Sequence, residues 1–159
     1  MSHLPLARRV ALLHPGWLSL IWFLFGAMPA ATLLPPVVRS FALSSLICGW
    51  TWAVYVISVA KAPQTDQPRW TPWIFLAPPL LVIISGVASL PTVNSPIAVL
   101  ILGTLFFGLW RAAQALEYAD SQGKPVAIGR ILGTMLLMFF SIVGFWWLRQ
   151  RIVRVAAAV

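Results

Sequence analysis

Five long runs of apolar residues constrain what this chain can fold into. Each is close to the roughly 20 residues with which a helix crosses a hydrocarbon layer about 30 Å thick. Backbone polar groups find no water in such a layer, so a spanning segment must be a helix or part of a closed barrel. The runs show no apolar and polar alternation, which excludes the barrel. The runs cover residues 17–38, 41–60, 73–90, 97–116 and 131–148. The sequence therefore predicts an all-α integral membrane helix bundle of about five transmembrane helices.

The composition agrees with this class. Of 159 residues, 60% are hydrophobic and only 9% are charged, whereas soluble domains carry about 25% charged residues. The length leaves no room for a separate soluble domain beside the bundle. We expect a short N-terminal segment over 1–16, the bundle over 17–148 and a basic C-terminal tail over 149–159.

The distribution of charge predicts the topology. Eleven Lys and Arg residues face three acids, and most cations lie at the ends of apolar runs, where they set orientation and attract anionic lipids rather than nucleic acid. We expect the protein to lie in the inner membrane of a bacterial cell. The uncharged stretch 91–96 is expected in the periplasm, which places the N-terminal segment in the cytoplasm. Five crossings then leave Arg149, Arg151 and Arg154 outside, against the positive-inside tendency. The alternative is four crossings plus a re-entrant segment.

Proline and tryptophan refine the helices. Pro29 and the pair Pro78 and Pro79 fall inside apolar runs and are expected to bend them, although a helix that begins at Pro79 is an alternative for the second site. Tryptophans mostly flank the runs, as in an interfacial aromatic belt, with Trp50 and Trp52 as exceptions.

Groups suited to catalysis or to metal binding are scarce. His14 is most simply an interfacial residue that helps to begin the first helix. No histidine lies within a predicted membrane segment, and the segments contain no nucleophile with a nearby base. The candidates in the whole chain are His3, His14, Cys48, Asp66, Glu117 and Asp120. We therefore expect a protein that is not an enzyme and has no cofactor or metal.

The most informative polar group lies in the stretch WRAAQALEYAD. Its members recur at three-residue spacing and are expected to drift slowly around one side of a helix that leaves the membrane, within reach of Arg130 across a short loop. Ionisable residues in a membrane segment are candidates for function, although these residues also fit a position among the head groups. The candidate polar cluster comprises Arg111, Gln114, Glu117, Asp120 and Arg130.

Glycines predict where helices approach one another. Gly129 and Gly133 form a G-x-x-x-G step, the spacing that allows two helix backbones to come close. Gly103, Gly108 and Gly144 are further candidate packing positions.

The C-terminal quarter carries a recognisable pattern. The stretch MFFSIVGFWWLRQRIVR resembles the C-terminal end of a group of small, uncharacterised bacterial polytopic membrane proteins, in which FFxxxGxWWLxxRI follows a short charged loop. The matching residues are Phe139, Phe140, Gly144, Trp146, Trp147, Leu148, Arg151 and Ile152, with Ala115, Leu116 and Gly129 upstream. The resemblance implies a membrane bundle and no particular activity.

Two functional hypotheses follow from these features. The first is a non-enzymatic membrane protein that acts through helix packing, as an accessory or assembly subunit or as a small homo-oligomer. The second is a small transporter or channel that uses the polar group of Arg111, Glu117 and Arg130.

Overall fold

A computed structural model of the chain describes residues 4–26, 35–62, 68, 70–87 and 96–158. Within these ranges every regular element is a helix and none is a strand, which confirms the all-α class. The predictions on Pro29, on His3 and Asp66, and on the uncharged stretch up to residue 95 fall outside the described residues.

The described elements are seven α-helices and one 3₁₀-helix. The α-helices are α1 Leu4–Ala11, α2 Pro15–Gly26, α3 Pro36–Lys61, α4 Ala77–Val87, α5 Pro96–Asp120, α6 Ile128–Phe139 and α7 Ser141–Ala157, and the 3₁₀-helix Thr71–Leu76 leads directly into α4.

Helices α3 and α5 are the two described helices that are long and apolar enough to cross a membrane, with 26 and 25 residues. They contain the predicted segments 41–60 and 97–116 entirely. Shorter apolar helices cover 17–25 of the first predicted segment, 73–87 of the third and 131–139 of the fifth. In the first predicted segment, 17–38, α2 ends at Gly26, and the last three residues already belong to α3.

The paired prolines stand at a helix start. Pro78 and Pro79 occupy the first turn of α4, directly after the 3₁₀-helix. Proline is accepted there because the first N–H groups of a helix have no intrahelical partner. The structure therefore agrees more closely with the predicted helix start near Pro79 than with a bend inside one helix.

Helix α4 runs antiparallel to α3. Phe75, just ahead of α4, lies against Tyr55 in the second half of α3, with ring centroids 5.5 Å apart. At the other end of α4, Gly86 lies against Val37 in the first turn of α3. A Cβ on Gly86 would come within 2.4 Å of Val37 Cγ1, so only glycine allows this approach.

The predicted fifth segment, 131–148, is two helices rather than one. Helix α6 ends at Phe139 and α7 begins at Ser141. A continuous helix would separate residues 134 and 151 by about 25 Å. Instead, Arg151 Nη1 lies 3.3 Å from Thr134 Oγ1. Helix α7 therefore doubles back along α6, and together they form a helical hairpin, here called the C-terminal hairpin.

The hairpin returns the chain to the end of the bundle from which it started. Ala156 in α7 lines the same cavity as Arg8 and Arg9 of α1 and Ile57, one turn before the end of α3. The end of α5 joins this group because Asp120 pairs with Arg151. This end of the bundle, defined by α1 and the C-terminal ends of α3, α5 and α7, is here called the basic end.

Two aromatic observations bear on the tryptophan prediction. Trp50, one of the two exceptions, is buried and meets Phe145 of α7 edge to face at 4.8 Å between ring centroids. Five of the other tryptophans are more than half exposed: Trp17, Trp70, Trp73, Trp146 and Trp147.

His14 accepts a hydrogen bond from the Gly16 N–H, so it does help to begin α2.

A substitution at Gly144 tests the close approach of α6 and α7 at the hairpin turn. A Cβ at this position would lie 2.0 Å from the carbonyl oxygen of Leu137, so Gly144→Ala must push α6 and α7 apart. We expect the free energy of unfolding in detergent to fall by about 1–3 kcal/mol, the usual cost of overpacking. The measurement is thermal unfolding followed by circular dichroism. Gly103→Ala is the matched control, because a Cβ there meets nothing within 4 Å. Equal stability of Gly144→Ala and the control would contradict the close turn.

Candidate functional site

Two acidic side chains close the last turn of α5. Glu117 and Asp120 are three residues apart, so they project from the same side of the helix. The Glu117 side chain is completely buried, whereas that of Asp120 is 14% exposed. A buried carboxylate requires charged partners and hydrogen bonds, because burial in isolation costs several kcal/mol.

Three groups from the C-terminal hairpin surround Glu117. Arg130 Nε lies 2.6 Å from Glu117 Oε2, an ion pair by distance without the alignment of a hydrogen bond. Arg151 Nη1 lies 2.7 Å from Oε1, and the Thr134 hydroxyl donates a hydrogen bond to the same oxygen. Both oxygens of the carboxylate are therefore engaged by the two arms of the hairpin.

Asp120 binds the same arginines and one more. Arg151 Nε donates a hydrogen bond to Asp120 Oδ2 at 3.1 Å, and Arg130 Nη2 reaches that oxygen at 3.3 Å. The other oxygen, Oδ1, accepts from Arg154 Nη2 at 3.5 Å. Asp120 thus links three arginines on the more exposed side of the group.

These six residues form one network, here called the ionic clamp: Glu117, Asp120, Arg130, Thr134, Arg151 and Arg154. Arg151 is its centre, because it bridges both carboxylates and also donates to the Thr134 hydroxyl. Burial alone lowers the pKa of Arg151, but hydrogen bonds and charge from Glu117 and Asp120 more than offset this, so its pKa is raised. The clamp carries three permanent cations against two carboxylates.

The structure corrects the predicted polar cluster in one respect. Glu117, Asp120 and Arg130 do meet, but Arg111 Nη1 instead donates to Gln114 Oε1 at 3.0 Å, apart from the clamp. A helix turns about 100° per residue, so nine residues place Arg111 and Asp120 on opposite sides of α5. The drift at three-residue spacing is too large for four such residues to share one face.

Sequence reasoning missed Thr134, Arg151 and Arg154 as members of this group. The signal was present in the cationic tail, whose charge is complementary to the two acids at the end of α5. The hairpin over 128–157 brings the tail arginines back to these acids.

The candidate packing glycines fall into two groups. Gly108 packs on Phe75 and Gly144 on the backbone of α6. At Gly103, Gly129 and Gly133 an added Cβ would meet nothing within 4 Å, so these positions face away from the other described helices.

A large apolar groove lies on another side of the bundle. It encloses about 720 Å³ between α3, the 3₁₀-helix and α4, with Cys48, Trp52 and Trp73 in its walls. Among the described residues, no group of three or more His, Cys, Asp or Glu side chains could hold a metal ion.

The geometry of the clamp determines what it can do chemically. Glu117 has no exposed surface, and arginines from both arms of the hairpin lie against its two oxygens, so its carboxylate is positioned to hold helices together. A general base or an ion carrier needs a carboxylate that a substrate can reach.

Replacing Arg151 tests the clamp. Arg151→Met retains much of the side-chain volume and leaves a buried carboxylate with one cation fewer. We expect the free energy of unfolding to fall by about 3–5 kcal/mol, as for other broken buried ion pairs. Thermal unfolding in mild detergent measures this change.

Arg149→Met is the matched control, since Arg149 is exposed on the same helix and outside the ion pairs of the described residues. The double variant Arg151→Met/Glu117→Gln should regain part of the loss, because the uncompensated charge is removed. Additive losses in the double variant would show that the two side chains do not interact.

Comparison with known proteins gives no assignment: no protein-family model, no curated protein and no solved structure matches this chain.

Proposed function

We propose that this chain is a non-enzymatic, multi-pass protein of the bacterial inner membrane that acts through helix packing, as a small homo-oligomer or as an accessory subunit. Four crossings are assigned to α2, α3, α4 with its preceding 3₁₀-helix, and α5. The C-terminal hairpin is then the re-entrant segment. This is the four-crossing alternative from the sequence.

The outward faces of the helices support a membrane environment. Large apolar side chains are widely exposed: Val87 is 83% exposed and Val99 70%. Soluble monomers rarely expose contiguous apolar patches beyond a few hundred Å². Lipid tails are the solvent in which such surfaces are stable.

The basic end supports the orientation. It gathers Arg8 and Arg9 of α1, Lys61 at the end of α3, Lys124 after α5, and the tail arginines of α7. The positive-inside tendency assigns such an end to the cytoplasm. With a re-entrant hairpin the cationic tail no longer conflicts with this tendency.

The outer face of α6 carries the functional proposal. Gly129 and Gly133 are exposed, and a Cβ on either would meet no described residue within 4 Å; Leu132 and Leu136 beside them are 41% and 49% exposed. A G-x-x-x-G step lets a second helix approach closely, where backbone contacts stabilise association in lipid. Among the described residues this face has no partner, so its packing capacity is available to another protein.

The transporter alternative has less support. Its main residue, Glu117, is buried and held by Arg130, Arg151 and Thr134. A carrier site must release and rebind its ion or substrate, and opening this network would break two short ion pairs. Proteoliposome flux that disappears in Glu117→Gln would favour the transporter.

The α6 face yields a direct test. Gly129→Leu/Gly133→Leu fills the step with branched side chains, so we expect the protein to lose its oligomer or its co-purifying subunit in mild detergent. Light scattering coupled to size-exclusion chromatography measures the mass of the assembly. Gly103→Leu, equally unobstructed but on α5, should leave that mass unchanged. A wild-type monomer that carries no partner and does not respond to the double change would contradict the proposal.

A further inference from the structure

The basic end holds a second cavity that the ionic clamp does not use. It encloses about 510 Å³ and is lined from α1 by Leu4, Arg8 and Arg9, from the following turn by Leu12, and from α3 and α7 by Ile57 and Ala156. Small-molecule sites typically enclose about 300–1,000 Å³. The cavity therefore has the size of a ligand site.

Its walls have two chemically different parts. Arg8 and Arg9 supply two guanidinium groups at the surface, and both side chains are exposed. Ile57 and Ala156 are buried and apolar. The cavity is thus mainly apolar and has two cationic residues among those that line it.

The two arginines have no internal counter-charge among the described residues. The chain contains three acids in total, Asp66, Glu117 and Asp120. The last two are committed to the ionic clamp, which already contains one arginine more than it has carboxylates. No ion pair joins Arg8 or Arg9 to either of these two carboxylates. As far as the described residues go, their charge is therefore open to an external anion.

Helix α1 has the form of an interfacial helix. Ala7 and Ala11 are buried against the bundle, whereas Arg8 and Arg9 project on the exposed side. A short amphipathic helix of this kind lies in the plane of the head groups, with cations that reach the phosphates. That position places the cavity at the depth where a phosphate and the start of an acyl chain meet.

We infer that this cavity binds one anionic phospholipid, with its phosphate between Arg8 and Arg9 and the upper part of an acyl chain along Leu12 and Ile57. A free phosphate would match only the guanidinium groups. A lipid matches both the cationic and the apolar part of the cavity. The inference rests on the membrane placement proposed above, and it is independent of oligomeric state.

Native mass spectrometry from detergent tests the site, because one spectrum reports both the mass of the assembly and any retained lipid. The probes are phosphatidylglycerol, phosphatidylcholine and inorganic phosphate. We expect phosphatidylglycerol to bind one per chain, and Arg8→Gln/Arg9→Gln to weaken this about 25-fold, because each basic residue near a lipid surface contributes about a factor of five. Arg8→Lys/Arg9→Lys should stay within about twofold of the wild type.

Lys124→Gln/Arg149→Gln is the matched control, since it removes the same charge from exposed positions that do not line the cavity. It should retain the lipid. If this control lost as much phosphatidylglycerol as Arg8→Gln/Arg9→Gln, the binding would be a diffuse attraction of anionic lipid and not a specific site. Wild-type binding by Arg8→Gln/Arg9→Gln would overturn the proposed site. Equal binding of inorganic phosphate or phosphatidylcholine would also overturn it. A monomeric mass with retained lipid would contradict the proposed oligomer alone.

Discussion

Arg151 bridging Glu117 and Asp120 is the interaction on which the C-terminal third of this protein depends. The two carboxylates come from α5, and Arg151 reaches them from α7 only because the chain reverses at Phe140. Arg130 and Thr134 of α6 bind the same carboxylates, so the clamp fixes both arms of the hairpin at once. The acids of α5 thus determine where the last two helices lie.

The small number of acidic residues makes this arrangement specific. Two of the three acids in the chain stand together at the end of α5, so the tail arginines have few places where their charge can be neutralised. In a low-dielectric environment an unpaired buried carboxylate costs several kcal/mol, which penalises alternative positions of the hairpin. The other cations at the basic end form no ion pair with the described residues. The excess of cations over acids is therefore also the basis of the proposed lipid site.

Much of this fold was predictable, and the exceptions have physical causes. The length of the apolar runs correctly predicted α3 and α5. The short loop between α5 and α6 correctly predicted that Arg130 reaches Glu117 and Asp120. The run over 131–148 carries no proline or charge to mark its break, so composition could not reveal the turn at Phe140. The close contact of Gly144 with Leu137 that permits it is a tertiary feature. Three-residue spacing does not keep Arg111 and the acids on one face, because each step of three residues rotates by about 60° around the helix.

The C-terminal hairpin returns the end of the chain to the end of the bundle at which α5 ends. The most direct measurement labels single cysteines in the full-length protein, in a Cys48→Ala background, with a membrane-impermeant maleimide before and after the cytoplasmic side is opened. Lys124→Cys and Ala158→Cys occupy exposed positions after α5 and after α7, and Asn94→Cys, in the segment between α4 and α5, serves as the opposite-side reference. We expect residues 124 and 158 to label only after the cytoplasmic side is opened, and residue 94 to label before it. Labelling of residue 158 together with residue 94 would mean that 128–157 crosses the membrane, and would contradict the re-entrant hairpin.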